Sequence, residues 1–298
     1  MTTAAIERAH HEPVVLEEGW SPKIVRWAGK LPIHLILAAI GLFWLVPTAG
    51  LFVTSILTPA DQSEGGWWNF AIEPHTWTID NYQRMFDNPN ITHALIVTAQ
   101  ITVGATILPI LVASLAAYAL AWIEFPGRDW VFLTVIALLL VPIQMALIPI
   151  FSLYNDLRLF DTIGGLILFH TAFALPFAIF LLRNFFAGIP RDLMEAARID
   201  GASELRLFFR VILPLGLPAI ASLAIFQVLF VWNDLLIGLV MTQNNQPIAP
   251  ALASQLRQFG SNLDVLAPAA FFSAVIPLTI FAAFQRYFVQ GLLAGSVK

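Results

Sequence analysis

Six predominantly apolar stretches, each long enough to cross a lipid bilayer as a helix, divide this chain into polar segments. A hydrocarbon core of roughly 30 Å requires about 20 apolar residues per helical crossing. Backbone groups inside a bilayer must be bonded within their own segment, so each stretch is predicted to be an α-helix. The fold class is therefore all-α and polytopic, with six transmembrane helices. The predicted spans are Leu31 to Leu57, Ala94 to Ala121, Val131 to Leu153, Ile163 to Leu182, Ala219 to Leu239 and Pro268 to Phe284.

Composition supports a membrane protein and excludes several other classes. Apolar residues make up 58% of the 298 residues, against 15 Lys and Arg and 19 Asp and Glu, which is too apolar for a soluble domain of this length. Because the chain has no cysteine, disulfides, thiolate nucleophiles and cysteine metal sites are excluded. The basic residues are scattered singly instead of forming a basic face, so a nucleic-acid-binding protein is also excluded.

The distribution of Lys and Arg predicts the orientation in the cytoplasmic (inner) membrane. With both termini in the cytoplasm, twelve basic residues lie inside and three outside, as the positive-inside rule requires. Residues 1–30 then form a cytoplasmic N-terminal segment, and their four glutamates are unlike a cleaved signal peptide. The inside residues are Arg8, Lys23, Arg26, Lys30, Arg128, Arg183, Arg191, Arg198, Arg206, Arg210, Arg286 and Lys298, and the outside residues are Arg84, Arg158 and Arg257.

Charged residues are almost absent from the hydrocarbon region of the predicted spans, and only Asp234, near the outer end of the fifth span, comes close to it. A carrier driven by a proton or sodium gradient normally carries ionisable groups along its path, so this alternative is disfavoured. The same absence favours an uncharged solute. The candidates for the solute path are Gln144, Gln227, Asn233 and Asp234, with His170 ambiguous. The competing interpretation is that such residues hold helices together by hydrogen bonds.

The most charged stretch lies between the fourth and fifth spans. Asp192 followed by Glu195, with Pro190 just before, predicts a capping-box-like helix start. Gly201 is predicted to end this helix in the left-handed conformation, and a second short helix follows from Ser203 to Arg210. Two short helices meeting at a glycine would project a knob into the cytoplasm. The alternative is an amphipathic loop lying on the membrane surface.

The first of these helices has two different faces at helical spacing. One is mostly small and apolar, and the other is charged. The small face consists of Leu193, Ala196, Ala197 and Asp200, and the charged face consists of Arg191, Glu195 and Arg198.

This loop resembles the Glu-Ala-Ala (EAA) motif of binding-protein-dependent ABC importer permeases. The motif positions are Glu195, Ala196, Ala197, Gly201, Val211, Leu213 and Pro214, where Val211 stands in place of the usual isoleucine. The likeness extends from the first span to the C-terminus and is strongest with the carbohydrate-uptake branch, in particular its MalG-like subunit. Supporting segments are Thr78 to Tyr82, Pro142 to Gln144, Trp232 to Asp234 and Gln285 to Leu292.

The resemblance implies a type I ABC importer permease fold with a cytoplasmic coupling helix, in which residues 31–298 form the permease domain and residues 184–214 the coupling loop. The implied partners are a second, MalF-like permease, two ATPase subunits and an extracytoplasmic sugar-binding protein. ATP and Mg would be bound by the ATPases, and the chain itself would be a transport subunit instead of an enzyme. In agreement, its Gly29-Lys30 pair is followed by Leu31, where a phosphate-binding loop needs Ser or Thr. The residues implied to couple to the ATPases are Glu195, Ala196, Ala197, Arg198, Asp200, Gly201, Leu213 and Pro214.

Two further expectations follow from the resemblance. The loop from Thr242 to Ala267 would contact the binding protein through the amides Gln243, Asn244, Asn245 and Gln246, although an ordinary polar loop has the same composition. The tail from Gly291 to Lys298 would reach towards the ATPases. The expected solute is an oligosaccharide or an α-glucoside such as maltose or trehalose, and the alternatives are glycerol phosphate, a polyol or an amino acid.

Overall fold

A computed structural model describes residues 22–71, 76–259 and 262–294, and this part of the chain is almost entirely helical. The prediction of an all-α fold is confirmed. A single bridge between Leu57 and Trp77 is the one β-type pairing among the described residues. In chain order the helices are α1 Pro22–Ile56, α2 Pro59–Glu64, α3 Asp80–Asp87, α4 Pro89–Trp122, α5 Arg128–Leu138, α6 Ile143–Asp156, α7 Ile163–Ala187, α8 Arg191–Ile199, α9 Glu204–Leu207, α10 Leu213–Leu215, α11 Leu217–Trp232, α12 Leu236–Met241, α13 Ile248–Phe259 and α14 Leu263–Ala294.

The residue contacts divide the chain into two compact units, Met1–Gly50 and Leu51–Lys298. The first unit contains most of α1, which is apolar from Leu31 onwards. Of the predicted N-terminal segment, residues 1–21 lie outside the described residues, as do residues 295–298 of the predicted ATPase-directed tail.

Four helices in the described part of the chain are long and apolar enough to cross a membrane, and two bent helix pairs bring the possible number of spans to six. The predicted first, second, fourth and sixth spans therefore correspond to continuous helices. Their apolar stretches are Leu31–Ile56, Pro89–Trp122, Ile163–Ala187 and Leu263–Arg286. The chain is a multi-pass membrane protein.

The third stretch is not the single helix predicted from Val131 to Leu153. It consists of α5 and α6, which meet at an angle of 96°. Pro142 lies at the break, has no N–H to donate, and disfavours helical backbone at the preceding Val141. The bend therefore follows from a local backbone restriction that hydropathy does not register.

The fifth stretch is broken at both ends. The segment Glu204–Leu215 meets α11 at 70°, and α11 ends at Trp232 instead of continuing to Leu239. After the break, the Asp234 carboxylate accepts hydrogen bonds from the N–H groups of Ile237 at 3.3 Å and Gly238 at 3.0 Å. Asp234 thus caps the short helix α12, because a side-chain oxygen satisfies N–H groups that the first turn leaves unpaired.

The parallel pair of α4 and α7 forms the centre of the second unit. Ala113 and Ala117 of α4 are fully buried and allow close packing against Leu182 of α7. Small residues serve this purpose in membrane proteins because they let helix backbones approach. The Trp122 indole donates to the Phe186 carbonyl at 3.1 Å, which joins the C-terminal ends of the two helices.

The opposite, N-terminal end of α4 packs against α3 and α13, and α14 contributes Ala269 to the same core cluster. Met85 and Ile91 are fully buried there together with Ile248, and the Ile248 N–H donates to the Thr98 hydroxyl at 2.7 Å. The molecule therefore has two distinct ends: the α8 end, where α4 and α7 finish, and the α13 end, where α4 begins.

Candidate functional site

The coupling loop predicted from the sequence lies at the α8 end. Helix α8 begins at Arg191, as expected, but its N-cap is Pro190 and no side chain caps it. The predicted capping box is therefore wrong, because proline has no oxygen or nitrogen in its side chain to bond the first N–H groups. Asp192 in the first turn still favours the start, since its charge complements the positive end of the helix dipole.

The prediction that Gly201 ends this helix in a left-handed conformation is confirmed, with φ of +76°. The Ala202 N–H donates to the Ala197 carbonyl and the Gly201 N–H to the Arg198 carbonyl, both at 3.0 Å. These two bonds form a Schellman motif, which satisfies carbonyls that the helix end would otherwise leave unpaired.

Helix α8 is anchored by one residue that the sequence reasoning missed. Met194 is fully buried and belongs to the core cluster that contains Leu182 and Phe186 of α7. Ala197 packs against the same cluster, so of the two motif alanines only Ala196 is exposed. The outward surface of α8 consists of Arg191, Asp192, Leu193, Glu195, Ala196, Arg198 and Ile199, together with its C-cap Asp200.

Glu204 connects the coupling loop to the membrane helices. Its carboxylate hydrogen-bonds the hydroxyl of Tyr118 on α4 and forms an ion pair with Arg198 of α8 at 3.3 Å. Helix α8 is consequently fixed to α4 on one side by this charged contact and to α7 by Met194. No local pattern indicates this role of Glu204, because its partner Tyr118 is 86 positions away.

Three further motif residues, Val211, Leu213 and Pro214, lie where the loop returns to the apolar region. Leu213 and Pro214 form α10, directly after a π-helical turn at Phe208–Ile212. Gly216 follows, and a Cβ there would come within 2.5 Å of the Phe186 ring and 3.0 Å of the Ile212 carbonyl oxygen. The bend therefore requires glycine, because α7 approaches the backbone too closely for any side chain.

A charged cleft of 370 Å³ lies between α8 and the ends of α4 and α7. Four arginines and two glutamates line it, including the motif residues Glu195 and Arg198. Arg183 lies over the Phe132 ring at 4.4 Å, a cation–π contact. The predicted charged face of α8 thus borders this cleft. Its predicted small face is divided, because Leu193, Ala196 and Asp200 are exposed whereas Ala197 packs against the core.

At the α13 end, the amide-rich loop is held by a residue that the sequence reasoning also missed. The Asp161 carboxylate accepts hydrogen bonds from three successive N–H groups, those of Gln243, Asn244 and Asn245, at 2.9 to 3.1 Å. The Asn244 amide donates to the same carboxylate, and the Asn245 amide donates to the Asp161 carbonyl at 2.7 Å. We call these contacts the Asp161 clasp.

The Asp161 clasp depends on charge and on an unusual backbone. Burial raises the pKa of the Asp161 carboxyl, but the hydrogen bonds from Asn245, Gln243 and Asn244 outweigh it, so the net pKa is below the ordinary value. Asp161 adopts a left-handed conformation with φ of +56°. Such a conformation is costly for a residue other than glycine, and the clasp contacts stabilise it.

The predicted path residues separate into two groups. Gln144 on α6 and Asn233 after α11 are exposed on the surface of this chain, and the Asn233 amide donates to the Leu229 carbonyl at 2.8 Å. Gln227 is buried between helices, and Asp234 caps α12 with one oxygen 3.9 Å from the buried His170 ring. Of the four predicted path residues, Gln144 and Asn233 are therefore the exposed ones, while Gln227 packs between helices and Asp234 caps one.

Comparison with known proteins places the chain among transport proteins. Residues 105–294 match the family described as "Binding-protein-dependent transport system inner membrane component". The osmoprotective compounds uptake permease protein GgtD of Synechocystis sp. is 43% identical over 275 residues, covering 90% of this chain and 92% of that protein. The alpha-glucoside transport system permease protein AglG of Rhizobium meliloti is 46% identical over 236 residues, covering 76% of this chain and 62% of that protein.

A solved structure has the same fold. In the crystal structure of a bacterial ABC transporter involved in the import of the acidic polysaccharide alginate, one chain superposes with a TM-score of 0.74. The match covers 91% of this chain and 99% of the other, at 21% sequence identity. The fold predicted from the resemblance is confirmed.

Proposed function

Since this chain belongs to the family of binding-protein-dependent transport system inner membrane components, it is a permease and not an enzyme, and we propose that it is the permease subunit of an ATP-driven sugar importer. The single observation that carries the mechanism is the attachment of α8. Helix α8 has an outward face that includes small and charged residues. Met194 fixes this helix to α7, and Glu204 fixes it to α4.

We infer that an ATPase subunit docks on the outward face of α8. Ala196 permits close approach, and Glu195 and Arg198, beside the charged cleft, supply polar contacts. When two ATPases close on ATP, the displaced α8 pulls α4 and α7 through Glu204 and Met194. Met194 lies in a closely packed core cluster with residues of α4 and α7, and this packing supports the proposed transmission. Close-packed interiors transmit a displacement instead of absorbing it.

The proposed complex contains partners that this chain does not supply. A second, MalF-like permease would face it across the path, two ATPases would bind ATP and Mg on the cytoplasmic side, and a binding protein would deliver the solute outside. The α8 end is therefore assigned to the cytoplasm, with both termini there, and the α13 end to the outside. The excess of Lys and Arg in the loops at the α8 end supports this orientation.

We propose an uncharged oligosaccharide or an α-glucoside such as maltose or trehalose as the solute. Gln144 and Asn233 are exposed, uncharged amides, which suit sugar hydroxyls better than an anion. The similarity to AglG supports an α-glucoside. The similarity to GgtD, which extends over more of this chain, supports osmoprotective compounds as the second candidate class.

The deciding experiment is purification of the tagged chain from its native membrane in lipid nanodiscs, followed by mass spectrometry of the co-purifying proteins. We expect an ATPase, a second permease and a binding protein, and the ligand of that binding protein identifies the solute. The reconstituted complex should accumulate this solute in proteoliposomes only with ATP and the binding protein. Uptake by the chain alone without ATP would refute the proposal in favour of a gradient-driven carrier.

A further inference from the structure

A second polar cleft, of 360 Å³, opens at the α13 end between the clasped loop, the start of α4 and α13. Its volume lies within the range of about 300 to 1,000 Å³ that is usual for small-molecule sites. The polar residues that line it come from three separate elements of the fold. They are Asn90 and His93 of α4, Gln243, Asn244 and Gln246 of the loop, and Ser254 and Gln255 of α13.

One wall of this cleft is rigid. The Asp161 clasp fixes the backbone of residues 243–245 by hydrogen bonds to three consecutive N–H groups. The adjoining Ile248 N–H is fixed to the buried Thr98 hydroxyl at 2.7 Å. A fixed wall lowers the entropy lost on binding, because the loop does not have to be ordered by its ligand.

Part of the hydrogen-bonding capacity of the cleft is not used by the protein itself, although the Asn244 amide is bonded to Asp161. Among the described residues, the side chains of Gln243, Gln246, Ser254 and Gln255 have no hydrogen-bond partner. Each amide presents donors and an acceptor side by side, a pattern that matches the donor and acceptor character of a hydroxyl group. Among the described residues, His93 is the one ionisable side chain that lines the cleft, so this described lining offers an ionic ligand no carboxylate, lysine or arginine.

We propose that this cleft, here called the outer cleft, binds one unit of an uncharged sugar before it moves to the path between the permeases. Asp161 is its positioning residue, because it holds the loop wall without lining the cleft. This inference rests on the proposed function and adds a first contact for the solute at the outer side, formed by α4, the clasped loop and α13.

The test uses the complete complex in nanodiscs without glycoside detergent and without the binding protein. Saturation-transfer difference NMR with trehalose as the probe measures direct contact with the sugar. The double variant Gln246→Ala and Gln255→Ala removes amides from two walls, and Gln83→Ala, an exposed amide on α3 outside the cleft, is the matched control. Uptake in proteoliposomes with the binding protein is measured in parallel.

Trehalose should receive saturation from the wild type and from Gln83→Ala, and the signal should be lost in the double variant. The KM for uptake should rise about 2- to 10-fold in the double variant, because each neutral hydrogen bond has a modest net effect. An unchanged signal in the double variant, or no signal from a wild type that transports trehalose, overturns the inference and leaves the proposed function standing. A rise in KM with an unchanged signal assigns the cleft to the binding protein and also overturns it. Failure of the wild type to take up any sugar refutes the proposed function itself.

Discussion

Substitution of Gly201 by valine tests the coupling loop most directly. Gly201 ends α8 with φ of +76°, and the Schellman bonds to Arg198 and Ala197 form only in this conformation. No other atom lies within 4 Å of the position that a Cβ would occupy. A side chain therefore meets open space, and the cost of the substitution comes from the backbone alone.

The free-energy cost of Gly201→Val follows from the left-handed backbone conformation. It costs an L-residue about 1 to 2 kcal/mol, and a β-branched residue adopts it least readily. A free-energy difference of this size changes the ratio of molecules with an intact α8 end to molecules with an unwound α8 end by roughly 5- to 30-fold. Asparagine tolerates the same conformation, so Gly201→Asn should retain most of the wild-type behaviour.

The chain offers a matched control. Gly127 precedes α5 with φ of +82°, and it also has nothing within 4 Å of a Cβ. Gly127→Val therefore introduces the same backbone penalty at a turn outside the coupling loop. A general loss of stability would affect both valine variants, whereas a coupling defect would affect only Gly201→Val.

The assay compares sugar uptake with ATP hydrolysis in the reconstituted complex. Gly201→Val should lower the number of sugars imported per ATP, while Gly201→Asn and Gly127→Val should stay close to the wild type. Unchanged coupling in Gly201→Val would refute the reasoning. Equal losses in Gly201→Asn would also refute it, because the effect would then not depend on the left-handed conformation.

Three further predictions concern the anchors of the loops. Met194→Ala should lower the free energy of unfolding by about 2 to 5 kcal/mol, because it leaves a cavity in the buried core, and thermal unfolding of the complex measures this loss. Gly216→Ala should cost about 1 to 3 kcal/mol in the same measurement, because its Cβ would overlap the Phe186 ring. Asp161 has a lowered pKa, so its stabilisation should be complete above the ordinary carboxyl range and lost as pH falls through the lowered value. Hydrogen exchange of residues 243–245 should reveal this loss, and in Asp161→Asn these amides should exchange faster at neutral pH without the acid dependence.

The attachments at the α8 end and at the α13 end use the same kind of interaction. At each end a carboxylate joins elements that are far apart in sequence: Glu204 bonds Tyr118, and Asp161 bonds the loop at Gln243. Hydrogen bonds to a charged acceptor are stronger than neutral ones, so each junction is held firmly with few residues. The long helices between them are packed by apolar and small side chains.

The capping box and the broken spans show where sequence patterns reach their limit. Asp192 and Glu195 have the spacing of a capping box, but Pro190 occupies the N-cap and offers no acceptor in its side chain. Hydropathy is equally high on both sides of Pro142, although the helix breaks there. Hydropathy averaged over a window measures how favourably side chains transfer to an apolar medium. It does not register that a proline lacks the backbone N–H that a continuous helix needs.

The sequence by itself determined the number and positions of the apolar stretches, the all-α class and the left-handed end of α8 at Gly201, because each depends on neighbouring residues alone. Only the tertiary structure decided that Met194 anchors α8, that Ala197 faces inward, and that Asp161 holds the loop 82 to 84 positions away. Contacts of this kind arise when packed helices bring distant segments together, and the packing of helix faces is not encoded in local hydropathy or spacing.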